Sequence, residues 1–404
     1  MRARWYKHRL QFKETAITSR ERLDCKTTYI LEIWDEEFPD VKGVGEVALF
    51  ESLSKEAGPG FESRLDEVVK GINDGIDIGW RTHEPCVPTP GGRMRKNWMC
   101  FAAPQLNRGV PVTPGSLRSP GADSCDARFT GLEMIELGDI GGLGCDVKES
   151  SILFGLETAL ASLRAGGRHE LWPSAFTRGE VAIPINGLVW MGDFRKMRER
   201  IRGKLDEGFG CVKLKIGGID FEDEVALLRM IRKEYGRSDL ELRLDANGSF
   251  TPENAMERLA RLSEYDIHSI EQPIKAGQWE AMRKIAGKSP IDIALDEELI
   301  GTRSREEKEE LLDAIRPAYV VLKPSLAGGF AHSQEWIELA KERGCGWWIT
   351  SALESNIGLN ALAQFVALQN PTMPQGLGTG ELYVENFPSP LVRKGENLWY
   401  DIQR

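Results

Sequence analysis

No two of the chain's seven cysteines, Cys25, Cys86, Cys100, Cys125, Cys145, Cys211 and Cys345, form a Cys-x-x-Cys pair. That argues against zinc ribbons and thioredoxin-like redox motifs. An odd cysteine count in so long a chain fits a reduced, cytoplasmic protein with structural or incidental thiols. Long apolar runs are also missing. No stretch approaches the roughly 18 residues that would suggest a membrane span. The basic start MRARWYKHRLQFKETAI lacks the apolar segment of a secretory signal. Positive charge is in deficit, with a formal net charge of -10 and a pI of about 5.3. Neither nucleic acid nor an anionic membrane is therefore an expected partner. No G-x-G-x-x-G or Walker-type loop follows any strand-like segment, which weakens dinucleotide and nucleotide readings.

What is present has the texture of a soluble globular protein. The 404 residues, 41% hydrophobic and 28% charged, suit two domains or one barrel with a satellite. The first 80 or so residues carry β-type segments, Thr27 to Trp34 and Gly43 to Phe50, and then a helical stretch over 61–73. From about 83 to 145 the texture changes. VPTPGG, VTPGSLRSPGADS and DIGGLGCD are loop-like, and four of the seven cysteines fall there. This segment reads either as an insertion with no evident function or as a locally shifted reading frame. A helix is expected again over 150–165.

From about 181 to 380, short apolar strands alternate with amphipathic helices. VAIPIN, CVKLKIG, LELRLDANG, HSIEQPI, IDIALDEEL, AYVVLKPS, GWWITSALES and QGLGTG read as strands. Runs over 221–235, 252–264 and 333–343 read as helices, the second with Pro252 in its first turn. Strand–helix alternation implies a parallel sheet, and eight strands suggest closure into a barrel.

In such a barrel the active site lies at the C-terminal mouth of the strands. Five consecutive strands end in charge: Lys213 and Lys215, then Arg243 and Asp245, then Glu271, then Asp296 and Glu297, then Lys323. Singly, each Asp is better read as a turn or cap, and each Lys as a solvated rim residue. Together, three carboxylates flanked by lysines form a converging ring. Burying them in company is costly without a cation, and oxygen-only ligands suit a hard divalent ion. Alternation along VKLKIG puts Lys213 and Lys215 on one face, which in a closed barrel can be the inside. Lys323 projects from the opposite side. A carboxylate substrate held between Lys215 and Lys323 could lose its α-proton to Lys215, because a lysine beside a metal and a second cation makes a fitting base.

The ordered set KLK, LDAN, EQP, LDEE and LKP resembles the enolase superfamily, muconate-lactonizing-enzyme subgroup. The five histidines, His8, His83, His169, His268 and His332, include none at the late strand end where the mandelate racemase type places its base. Within the subgroup, TSRERL, GEVALFESLS and ITSALESNIGLNALAQ with GLGTG resemble the o-succinylbenzoate synthase family. The resemblance implies an α/β fold, a modified TIM-type (β/α)7β barrel over about 180–380. An α+β capping domain over 1–165 and a returning tail at 381–404 would accompany it. It implies Mg²⁺, with Mn²⁺ as a substitute, on Asp245, Glu271 and Asp296. It implies Lys215 and Lys323 as catalytic lysines, with Lys213 the first of the pair.

The implied reaction is syn dehydration of 2-succinyl-6-hydroxy-2,4-cyclohexadiene-1-carboxylate to o-succinylbenzoate through an enediolate, a step of menaquinone biosynthesis. Lys323 would face the ring. The partner is then a small-molecule carboxylate, and a homo-oligomer is compatible with the sequence. Arg243 is expected to point into the site, as substrate ligand or as an ion pair behind the metal ligands. Thr350, Ser351 and Gly376 match positions near the substrate's polar groups. Thr18, Ser19 and Arg20 match a closing loop. The insertion at 83–145 departs from the family pattern.

Four other readings compete. An N-succinylamino acid racemase of the same subgroup would use the same opposed lysines. A dipeptide epimerase is disfavoured because GLGTG lacks the acidic pair expected there. A metal-dependent aldolase or an inactive scaffold would leave both lysine positions unexplained.

Overall fold

The computed structural model describes residues 1–17, 21–75 and 147–404. The insertion at about 83–145, with Cys86, Cys100, Cys125 and Cys145, and the segment Thr18, Ser19, Arg20 lie outside the described residues. Cys25, Cys211 and Cys345 are free thiols.

The cap is an antiparallel sheet of β1 (Arg2–Ile17), β2 (Arg22–Trp34) and β3 (Lys42–Val47), joined by α1 (Phe61–Asn73) and α2 (Ser150–Arg164). The basic N-terminal run, unmarked as a strand by its sequence, is β1. Ala3, Leu10, Phe12 and Ala16 are buried while most of its charged residues face out. α2 is buried along nearly its whole length. It lies against β3 at glycine contacts: a Cβ on Gly45 would stand 2.0 Å from the Gly155 carbonyl oxygen, so a side chain there would push the helix off the sheet.

After the short strand β4 (Ile183–Pro184), the barrel is built from β5 (Gly187–Val189), α3 (Phe194–Asp206), β6 (Cys211–Lys215), α4 (Phe221–Glu234), β7 (Glu241–Asp245), α5 (Ala255–Leu262), β8 (Ile267–Glu271), α6 (Trp279–Ala286), β9 (Asp292–Leu295), α7 (Arg305–Ile315), β10 (Tyr319–Leu322), α8 (Pro324–Ala327), α9 (Gly329–Glu342), β11 (Gly346–Ile349) and α10 (Asn356–Leu368). Strands β5 to β11 form one parallel sheet in sequence order. Two isolated parallel bridges close it: Thr350 pairs with Gly376, and Gln375 with Ile185. The expected eighth strand, QGLGTG, is thus reduced to its first two residues. The architecture is the modified TIM-type (β/α)7β barrel with an α+β cap.

Two local expectations shift. VAIPIN is not itself the first barrel strand. Its Ile183–Pro184 pairs with β13 (Asn397–Tyr400) of a tail hairpin that begins with β12 (Leu391–Lys394), and the barrel ladder starts at Gly187. Helix α5 begins at Ala255, not in a turn containing Pro252. The Asn254 side chain accepts from Thr251 N at 2.9 Å and folds 251–254 into a turn first. Val212, Leu214, Ile216, Leu242 and Leu244 pack outward into the main core under the helices, leaving the intervening residues to fill the barrel. Among the described residues no helix is long and apolar enough to cross a membrane.

Candidate active site

Strand pairing sets the charged ring. Lys215, Asp245 and Glu271 stand side by side across β6, β7 and β8, and Asp296 follows the end of β9. Asp245, Glu271 and Asp296 are 1%, 0% and 2% exposed. Lys215 Nζ donates to Asp245 Oδ2 at 2.7 Å and to Asn247 Oδ1 at 2.8 Å. Lys213 Nζ donates to both oxygens of Glu271 at 2.9 Å and lies 3.5 Å from Asp245. Lys323, four strands from β6, donates to Asp296. The two lysines of VKLKIG therefore share the inward face, and each has carboxylate partners.

The electrostatics follow from burial and crowding. Burial alone would lower the Lys213 ammonium, but Glu271 and Asp245 outweigh it and its pKa stands raised. Burial would raise Asp245, but Lys215 and Lys213 hold it below the usual carboxylate range. Glu271 is pushed up to about 7, first by burial and then by Asp245 and Asp296, against the pull of Lys213. Asp296 is raised by burial and by Glu297. Lys323 is raised by Asp296 and Glu297 against burial.

Among the described residues no trio of acidic, histidine or cysteine side chains is drawn together tightly enough to hold a metal ion. Lysine ammonium groups sit on the oxygens a cation would use. The donor set nevertheless fits a hard divalent ion: three buried carboxylates, all oxygen, on neighbouring strands, close enough that the Asp245 charge raises both Glu271 and Asp296. Added positive charge would relieve that repulsion.

One pocket gathers Lys213, Lys215, Asp245 and Lys323 with Thr350, Ser351 and Gly376. Thr350 Oγ1 donates to the Gly376 carbonyl at 3.2 Å, and Ser351 Oγ donates to Glu354 at 2.7 Å. Both hydroxyls thus also serve the strand-end hydrogen bonding. Arg243 is not brought to the pocket. Fully buried, it donates to Glu241 at 2.7 Å and to the Pro374 carbonyl at 2.8 Å, and its guanidinium lies 4.5 Å from the Trp348 ring. Its partners sit at the barrel floor, so of the two roles expected for it the structure shows the ion pair and not the substrate contact.

Sequence reasoning overlooked Asn247, which accepts from Lys215 and donates to Glu297 at 3.2 Å. Its place two residues after Asp245, within LDAN, was the available signal. It also passed over the apolar lining Phe50, Leu53 and Trp190. Trp190 lies 5.7 Å below the Lys215 ammonium.

The Enolase C-terminal domain-like family model matches residues 196–395. Over 386 residues the chain is 46% identical to an o-succinylbenzoate synthase of Desulfotalea psychrophila, covering 96% of this chain and 95% of that one. The crystal structure of MenC from Desulfotalea psychrophila LSv54 superposes with a TM-score of 0.76 at 40% identity, over 99% of both chains. An N-succinylamino acid racemase of Amycolatopsis is 28% identical over 210 residues, 52% of this chain and 55% of that one. With its barrel, its lysine–carboxylate ring and near full-length similarity of this degree, the chain belongs to the o-succinylbenzoate synthase family of the enolase superfamily.

Proposed function

We propose that the chain converts 2-succinyl-6-hydroxy-2,4-cyclohexadiene-1-carboxylate to o-succinylbenzoate by syn loss of water, a step of menaquinone biosynthesis in the cytoplasm. The observation that carries the reading is a single pocket lined by Lys215, Asp245 and Lys323, in a chain 46% identical to an o-succinylbenzoate synthase. The division into a cap over 1–165, a barrel over 180–380 and a tail over 381–404 is part of this reading.

Lys215 is the general base. It takes the α-proton of the substrate, and the electron pair of that C–H bond passes toward the carboxylate as an enediolate. The C–O bond to the ring hydroxyl then breaks. Lys215 returns the proton to the leaving oxygen on the same face, so one water departs and Lys215 is regenerated. Asn247 and Asp245 hold the Lys215 amine in place. Lys323 faces the ring from the opposite side, where its positive charge steadies the anion and then the new aromatic face. Lys213, fixed on Glu271, keeps a second cation beside Lys215.

Asp245, Glu271 and Asp296 would hold the divalent cation, Mg²⁺ or in its place Mn²⁺. When bound, that cation supplies positive charge to the substrate carboxylate. Thr350, Ser351 and Gly376 border the polar end. Phe50, Leu53 and Trp190 keep water from the ring.

The similarity to an N-succinylamino acid racemase supports a second reading, because lysines on opposite faces would also serve 1,1-proton transfer. Purified protein given Mg²⁺ and the cyclohexadiene carboxylate should lose the diene absorbance as o-succinylbenzoate forms. No turnover by folded, metal-loaded protein, with loss of optical rotation from N-succinylamino acids, would favour the racemase instead.

A further inference from the structure

Another buried cation sits away from the lysine–carboxylate ring. Lys26, on β2 of the cap, is 7% exposed, and a lysine is rarely buried without cause. Its ammonium donates to two main-chain carbonyls of the barrel, Leu353 at 2.9 Å and Ala352 at 3.2 Å. The Phe50 ring centroid lies 5.8 Å from it. Burial holds its pKa below the usual lysine value, against the pull of two buried carboxylates nearby, Glu46 and Glu354.

The carbonyl it grips belongs to a strained turn. Leu353 has a φ of +64°, a left-handed conformation that a bulky L residue rarely holds. Three other side chains hold the same turn. Tyr383 Oη donates to the Leu353 carbonyl at 2.7 Å. Glu354 accepts from Ser351 Oγ and Ala352 N at 2.7 Å and from Ser325 Oγ at 2.6 Å. Glu46 of β3 accepts from Ser355 Oγ at 2.6 Å and from Gly358 N at 2.9 Å. Ser351, Ala352 and Leu353 line the pocket, and Phe50 lines it from the cap, whereas Lys26 itself does not.

We propose that Lys26 is a positioning residue: it clamps the left-handed Leu353 turn of the barrel to Phe50 of the cap, so that the two form one fixed apolar wall and restrict the pocket to flat ring carboxylates. The clamp deepens the proposed activity and rests on it. A fixed wall matches a planar unsaturated ring, which has few rotamers to lose. It penalises an open-chain N-acyl amino acid, which must be frozen to fit.

Lys26→Met keeps the length of the side chain and removes its donors. The KM for the cyclohexadiene carboxylate should rise about tenfold, the scale of a lost buried hydrogen bond to a charged group. kcat should stay within about threefold, and the preference for the ring substrate over N-succinylamino acids should fall by a similar factor. Hydrogen exchange should quicken at 350–355 and near Phe50 and not across the rest of the barrel. Unchanged KM with unchanged exchange at 350–355 overturns the proposal, as does a fall in kcat at constant KM. Should Lys26→Met not fold, Tyr383→Phe carries the test by removing the other donor to the Leu353 carbonyl. It should raise KM about threefold with faster exchange at 350–355, and no change in either overturns the clamp. If the wild type turns over neither substrate, the proposed activity fails, and hydrogen exchange alone then judges the clamp.

Discussion

The mouth and the floor of this barrel meet at one rung of its ladder. Lys213 and Arg243 stand directly opposite each other on β6 and β7, both pointing inward, both cationic and both buried. Lys213 reaches up to Glu271 and Asp245 and joins the ring at the mouth. Arg243 reaches down to Glu241, the Pro374 carbonyl and Trp348, and joins a sealed plug. A shared face and a shared rung therefore do not make a shared site. The partner within reach of the end of a long side chain decides which layer its charge belongs to.

Several perturbations separate these two layers. The largest expected effect is metal removal. EDTA should abolish turnover, and Mg²⁺ should restore it in an activity assay. Next is Lys215→Ala, which should cost about 10²–10⁴ in kcat, the range for a lost general base, while circular dichroism and the melting profile stay near wild type. Arg243→Met should show the opposite pattern. Stability in a denaturant titration should fall by about 2–4 kcal/mol, because Glu241 and the Pro374 carbonyl lose their partner. kcat/KM per folded molecule should stay within about threefold.

The smallest effect lies outside both layers, on α9. The His332 imidazole is pulled down to about 4 from 6.5, by burial and then by the Lys308 ammonium. Between those pH values the unfolded chain binds a proton that the folded chain refuses. Stability therefore rises with pH across the window and is lost on acidification. His332→Gln should flatten this slope by about 1–2 kcal/mol after allowing for solvent screening. Melts at pH 4.5 and pH 7 would measure it, with no matching change in kcat at neutral pH.

Much of this was legible in the residues because strand periodicity is short and strict. VKLKIG alternates apolar and cationic positions, so its two lysines had to share a face, and they do. α1 falls on the expected 61–73. The N-terminal strand was harder to read. β1 alternates imperfectly, and its many charges resemble a solvated tail until β2 is there to pair with it. The eighth barrel strand was overestimated, because QGLGTG makes only the bridges at Gln375 and Gly376.

Among the site residues, Asp245, Glu271, Asp296, Lys215 and Lys323 could be placed from strand ends alone. The direction of Arg243 could not, because it depends on Pro374 and Trp348, more than 100 positions along the chain. Nor could the ion pairs at the mouth be foreseen, since the expected carboxylate trio implied ligands facing a metal, not ligands each meeting a lysine. Lys26 was invisible for the same reason. Its partners are carbonyls at 352 and 353, and main-chain acceptors leave no signature in a sequence.

The most direct measurement sets the two layers side by side: turnover of the cyclohexadiene carboxylate in Mg²⁺ by Lys215→Ala and by Arg243→Met, each scaled to its folded fraction. Lys215→Ala should be folded but inactive, and Arg243→Met less stable but active. An active Lys215→Ala, or a stable Arg243→Met that has lost turnover, would contradict the separation of catalytic mouth from structural floor.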